Sequence, residues 1–118
     1  MTITKFEDIL SWQKSKELAL NIYSEFSDNR DFSFRDQIRR ASVSIMNNIA
    51  EGFERQSNKQ FVYFLYVAKG SCGEVRSMLY LSKDFKYISD ETFNRLFKLC
   101  IEISNLIAGF IKSLNVKK

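Results

Sequence analysis

Residues Phe61–Leu79 read FVYFLYVAKGSCGEVRSML. Phe61, Leu65, Ala68, Cys72, Val75 and Leu79 are spaced 4, 3, 4, 3 and 4 apart. That is the rhythm of a helix laid against other helices, not the alternation of a strand. The rhythm continues outward in both directions. Downstream it runs through Phe93, Phe97, Cys100, Ile103 or Ser104, Ile107, Phe110 or Ile111, and Leu114; upstream it runs through Phe34, Ile38, Ala41, Ile45, Ile49 and Phe53. In the first segment Ile9, Trp12, Ala19, Leu20, Tyr23 and Phe26 form one face, with Phe6, Leu10, Leu18 and Ile22 at or beyond its margins.

Helix starts are written between these runs. Thr4–Glu7 and Ser57–Gln60 have the capping-box form, Ser33–Asp36 a shorter-acid version, and Ser89-Asp90-Glu91 places acids on a positive helix end. The chain has no Pro, so the strongest helix breaker is missing. The expectation is an all-α, antiparallel up-down-up-down four-helix bundle in one domain, 1–118, with helices at about 4–28, 33–54, 57–84 and 89–114. Asn115–Lys118 is expected to be a frayed basic tail.

Composition narrows the function. Hydrophobic content of 45% and charged content of 27% are those of a soluble globular domain. No apolar run approaches the length of a membrane span, and acids sit where a signal peptide would be apolar, so the expected location is cytoplasmic. There is no His, which removes the usual general base, the usual zinc partner and the Glu-x-x-His di-iron motif. Cys72 and Cys100 lie on apolar stripes and read as reduced core thiols. No cofactor, metal or small-molecule substrate is expected, and no catalysis.

The apolar surface exceeds what one bundle uses. Besides the marginal residues of the first helix, Val43, Met46 and Ala50 make a stripe offset from the second helix's core stripe. A surface helix normally carries one apolar stripe, and surplus stripes mark partner surfaces, so a homo-oligomer is expected.

Two further stripes could carry function. On the second helix Arg40, Ser44, Asn47, Glu51 and Glu54 share a face, with Arg40 in reach of Ser44 and Asn47 in reach of Glu51. This is either a solvated stripe of local pairs or a buried polar network that sets helix register or subunit contacts. Glu51 and Glu74 could join such networks, but nothing accompanies them that would make an acid–base pair. Gly70 and Gly73 flank Ser71 in mid-helix and point to close helix–helix approach; Gly52 reads equally as a helix-terminating residue.

The other stripe is Val62, Tyr66, Lys69, Gly73, Arg76, Tyr80 and Lys83 on the third helix, with Lys59 one turn before it and Lys86 just after. Aromatic rings stack on unpaired bases, and Lys and Arg neutralise phosphates. Net charge supports the same side: residues 1–54 carry seven basic and nine acidic side chains, residues 55–87 six and two, and the whole chain is +4. Lys59, Tyr66, Lys69, Arg76, Tyr80 and Lys83 are therefore the candidate nucleic-acid contacts. The alternative is a solvated face in which basic stems cover tyrosine surface.

At SVSIMNNIAEGFER, Ser42–Arg55, preceded by Gln37–Ala41, the chain resembles the 23S rRNA-intervening-sequence protein family, also called four-helix bundle proteins. FLYVAKGSCGEV, Phe64–Val75, is similar to the family's second signature, and Phe6–Tyr23 with its Trp12-Gln13-Lys14 resembles the usual start. The chain departs at Met46, where many members have Pro. The resemblance implies an antiparallel four-helix bundle assembled into a ring, with a pentamer favoured, and no enzymatic activity or cofactor. Distant relatives, the accessory proteins of diversity-generating retroelements, work with a reverse transcriptase and nucleic acid. The matching positions Arg40, Ser44, Asn48, Glu51, Gly52, Gly70, Ser71 and Glu74 have no agreed role, and with Asn47 they are expected to be structural or interface residues. The expected partner beyond a second copy is RNA or a nucleoprotein; the competing expectation is a protein-interaction module with no nucleic-acid affinity.

Overall fold

The computed structural model describes residues 3–114, so the tail Asn115–Lys118 lies outside the described residues. Within them the secondary structure is helical and no strand is present. A 3₁₀ turn at Phe6–Asp8 precedes α1 (Leu10–Glu25), α2 (Phe32–Glu54), α3 (Asn58–Asp84) and α4 (Asp90–Leu114).

Local chemistry explains most of these boundaries. Ser57 Oγ accepts from the Gln60 amide and Ser89 Oγ from the Thr92 amide, which satisfies donors that the first turns of α3 and α4 leave free. At α2 the cap is Asp31, whose Oδ1 accepts from the Phe34 amide; Ser33, the expected starter, lies inside the helix. Beyond α3, Lys86 takes the left-handed conformation with φ 63°, and the Tyr87 amide reaches back to the Ser82 carbonyl at 2.8 Å. That arrangement is a helix-ending Schellman turn.

The first helix departs from expectation. It does not start at Thr4 and its end is Glu25, not Asp28. Ile9 is extended (φ −79°, ψ 122°) and breaks the segment into the 3₁₀ turn and α1. The break lets Ile9 enter the core, where it is 2% exposed, while Phe6 packs edge-on against Trp12 at 5.2 Å. Gln13 Nε2 holds the bend by donating to the Glu7 carbonyl at 2.8 Å.

The expected face of the first helix is buried at Ile9, Ala19 and Phe26 but differs elsewhere. Leu18 and Ile22 are fully buried, whereas Leu20 is 63% exposed and Tyr23 43%. The buried residues of α1 are Ser11, Ser15, Leu18, Ala19 and Ile22, and without Ala19 they keep spacings of 4, 3 and 4. Two serines hid that stripe from an apolar reading. Ser15 hides its own hydroxyl by donating to the Ser11 carbonyl at 2.6 Å. On α4 the fully buried leucine is Leu96, with Phe97 only packed against the core.

Each helix touches its two neighbours in the cyclic order α1, α2, α3, α4, and the diagonal pairs stay apart. Across α2 and α3, Gln37 meets Glu74, Ser44 meets Ser71, and Gly52 meets Phe61 and Phe64. Across α3 and α4, Phe61 meets Phe110, Cys72 meets Cys100, and Tyr80 meets Phe93. In both series residue numbers rise on one helix as they fall on the other. The core is one cluster filled by Ile38, Ile45, Ile49, Leu65, Val75, Leu79, Ile103 and Ile107, each 0% exposed.

Candidate nucleic-acid interface

The third helix presents two unlike flanks. Because α3 buries Phe61, Leu65, Cys72 and Leu79, residues one position further on lean toward α4 and residues one position back lean toward α2.

On the α4 flank stand Tyr66, Lys69, Arg76, Tyr80 and Lys83. Tyr66 is 59% exposed and Tyr80 52%. Lys59 and Lys83 are exposed, Lys69 and Arg76 half-buried. None of these four cations enters an ion pair among the described residues, a state they share with Lys5, Lys16, Arg30, Arg39, Arg40, Lys86, Lys98 and Lys112, whereas Lys14, Arg35, Arg55 and Arg95 each have a carboxylate partner. Two of the six residues are partly committed to α4. The Tyr80 ring packs on Phe93 at 5.4 Å and Phe97 at 5.5 Å, and Lys83 Nζ sits 4.7 Å above the Phe93 ring. Lys112 of α4 was missed by sequence reasoning. It lines a shallow hollow with Tyr66 and Gly109, and only the pairing of α3 with α4 could have found it.

On the α2 flank the polar residues close into a hydrogen-bonded set. Ser44 Oγ and Ser71 Oγ are 2.9 Å apart. Asn48 Nδ2 donates to the Ser44 carbonyl at 2.8 Å and to Ser44 Oγ at 3.0 Å. Gln37 Nε2 donates to Glu74 Oε2 at 3.3 Å. Arg40 and Asn47 line the same open groove, of about 610 Å³, together with Tyr23. Gln37 was not singled out from the sequence, although Gln37, Ala41, Ser44 and Asn48 keep the 4, 3, 4 spacing.

The remaining sequence-selected residues separate from this set. Ser44 bonds to Asn48 and Ser71, not to Arg40, and Glu51 pairs with Arg55 at 2.7 Å, not with Asn47. Glu51 and Glu74 therefore belong to different contacts. A Cβ added at Gly52 would lie 2.7 Å from Phe64 Cβ and 2.9 Å from Phe61 Cδ1, so Gly52 is a close-approach residue of the helix interior and not a terminator. At Gly70 and Gly73 an added Cβ would meet nothing within 4 Å, so within this chain the expected close approach at those two positions does not occur. Among the described residues no cluster of three or more His, Cys, Asp or Glu is placed to hold a metal ion, and no helix is long and apolar enough to cross a membrane.

Comparison with known proteins agrees with this architecture. The sequence profile described as 23S rRNA-intervening sequence protein matches residues 7–109. A crystal structure of a protein of unknown function from the S23 ribosomal protein family of Bacteroides thetaiotaomicron is similar to the chain with a TM-score of 0.81 and 29% identity. The similarity covers 87% of this chain and 99% of that one. No curated protein matches the chain. With the profile spanning nearly all of the described helices, the chain belongs to the 23S rRNA-intervening sequence protein family.

Proposed function

We propose that this chain is a single-domain, up-down-up-down bundle without enzymatic activity, whose copies assemble in the cytoplasm into a homo-oligomeric ring. We further infer that the assembly binds RNA or a nucleoprotein through the α4 flank of α3. The pairings across successive helices support the topology. A pentamer is the state that the resemblance to the family favours. One observation carries the binding reading: Lys59, Lys69, Arg76 and Lys83 stand beside exposed Tyr66 and Tyr80 with no acidic partner among the described residues. Uncompensated cations interleaved with exposed rings suit a phosphate backbone with unpaired bases.

A second reading is a protein-interaction module. Leu20 and Tyr63 at 63% exposure, Phe85 at 53% and Leu81 at 46% favour it, since exposed apolar groups of this size on α1 and at α3 suit partner surfaces. Solution mass by light scattering, with and without cellular RNA at low and high salt, separates the two. The RNA reading expects a multiple of 13.9 kDa that gains salt-labile RNA. Replacing Lys69, Arg76 and Lys83 by Glu should then abolish the gain without changing the multiple. An assembly that ignores RNA at every salt concentration would leave the interaction module standing, and RNA binding untouched by the triple replacement would sink the proposed face.

A further inference from the structure

The α3–α4 contact contains two thiols with no part in the binding reading. Cys72 is 1% exposed and Cys100 0%. They come from different helices, 28 positions apart, and meet in the same layer of the bundle: Cys72 Sγ donates to the Cys100 carbonyl at 3.3 Å. Small side chains build the layer. Ala68 is fully buried one turn before Cys72, and the Ser104 backbone, one turn after Cys100, is also within hydrogen-bonding reach of the Cys72 sulfur.

We propose that Cys72 and Cys100 are a redox-modification pair, closing to an intramolecular disulfide that staples α3 to α4 when the protein meets a hydroperoxide.

The two sulfurs are not equivalent. A hydrogen bond from Cys100 holds the Cys72 pKa below its ordinary value, and the nearby charges of Arg76 and Lys69 act in the same direction against the cost of burial. The Cys100 thiol is pushed far up by its hydrogen bond with Cys72 and by burial. Cys72, which lies near the Lys69 and Arg76 charges at the rim of the seam, is the attacking thiol, and Cys100, wholly enclosed at 0% exposure, is the resolving one. In the first step the Cys72 thiolate attacks one peroxide oxygen. The O–O bond breaks, Cys72 becomes a sulfenic acid, and its displaced proton leaves with the second oxygen as water. In the second step the Cys100 sulfur attacks the Cys72 sulfur, the S–O bond breaks, and the hydroxide takes the Cys100 proton to leave as a second water. Two thiols and one hydrogen peroxide give one disulfide and two waters; the thiols are oxidised by two electrons and the peroxide is reduced by two.

Burial sets the rate, not the outcome. Lys69 and Arg76 are half-buried with their charges near Cys72, which is itself 1% exposed, so a peroxide meets the thiol through local opening of the seam. The inference is independent of RNA binding, because the thiol layer is internal to one chain.

The test is titration of the full-length protein with hydrogen peroxide, followed by intact mass and peptide mapping. The expected result is loss of two hydrogens from the chain mass, a peptide linking Cys72 to Cys100, a melting temperature raised by roughly 10 °C, and reversal of all three by dithiothreitol. Cys100→Ala keeps the attacking thiol without its resolver, and should gain oxygen at Cys72 instead of closing the bridge. Cys72→Ala should leave Cys100 as a thiol at the same dose. The proposal fails if both thiols of the folded wild type stay free at a dose that oxidises Cys72 in Cys100→Ala. It also fails if all the native thiols are inert, or if the disulfides found join separate chains.

Discussion

The two flanks of α3 hold the bundle together by different means. Toward α2 the contact is polar and close: Ser44 against Ser71, Gln37 against Glu74, and the α2 backbone at Gly52 pressed onto Phe61 and Phe64. Toward α4 it is aromatic and sulfur-rich, with Tyr80 on Phe93 and Phe97, Phe61 on Phe110, and Cys72 on Cys100. Directional hydrogen bonds and a missing side chain fix register on the first flank. Ring and thiol packing fills the second, where Lys83 is seated on the Phe93 ring while Lys69 and Arg76 stand at the rim without acidic partners among the described residues. A single helix can thus be held on one side and keep its cations available on the other.

The comparison breaks most visibly at the glycines. Gly52→Ala forces its new methyl into the Phe64 Cβ, which belongs to a stiff part of α3, so urea denaturation should show a loss of about 2–3 kcal/mol. Gly70→Ala and Gly73→Ala point a methyl into open space and improve helix propensity, so each should gain about 0.5–1 kcal/mol by the same measurement. Equal losses at all three would mean that the outer face of α3 is covered in solution.

Next in size is the hydroxyl pair. Ser71→Ala removes one partner from a half-buried network and should cost about 1 kcal/mol. Tyr80→Phe on the other flank keeps both ring contacts, and should stay within about 0.5 kcal/mol of wild type. A reversal of that order in chemical denaturation would contradict the division into polar and aromatic flanks.

Smaller effects belong to the turn where α3 hands over to α4. Lys86 holds φ at 63°, so Lys86→Gly should raise the melting temperature by an amount equivalent to roughly 0.5–1 kcal/mol. Tyr87 Oη donates to Asp31 Oδ2 at 2.7 Å, and that bond raises the tyrosine pKa above its ordinary value. The folded state therefore keeps the proton longer than the unfolded chain. The bond's contribution is full below pH about 10 and is lost as pH rises through the raised value. Tyr87→Phe should flatten the alkaline end of a stability-against-pH curve and leave its slope at neutral pH unchanged.

Much of this was legible in the chain, and the rest was hidden for physical reasons. The α3 seam was plain because every member is apolar or small, and all six of its residues are buried. The first-helix face was legible at Ile9, Ala19 and Phe26 but misplaced at Leu20 and Tyr23, because Ser11 and Ser15 occupy core positions: Ser15 satisfies its hydroxyl within its own helix, and nothing in the spelling of a serine shows that. The break at Ile9 was missed because its local sequence offers a respectable capping box, and burial of Ile9 overrides it. Among the site residues, the shared face of Arg40, Ser44 and Asn47 was readable from spacing, but partner choice was not. Ser44 could have bonded along its own helix to Arg40; it instead meets a hydroxyl 27 positions away, a matter of how closely α2 and α3 approach. The glycines show the same limit. Close approach was expected at Gly70 and Gly73 and a helix end equally at Gly52, and only the neighbour opposite each one reverses the two assignments.

The extended residue at Ile9 has a dynamic consequence. At 16 residues α1 is shorter than α2, α3 and α4, which have 23, 27 and 25. Where α1 stops short, the Phe6–Asp8 turn takes its place against α2, secured by Trp12 and the Gln13 side chain. This end of the bundle is closed by a separate unit with its own opening free energy, below that of global unfolding. Amide hydrogens from Phe6 to Ile9 should exchange with solvent in a step distinct from the exchange of α2 and α3, and a protease that cuts near Lys5 would find its substrate in that partly opened species while α1, α2, α3 and α4 stay folded.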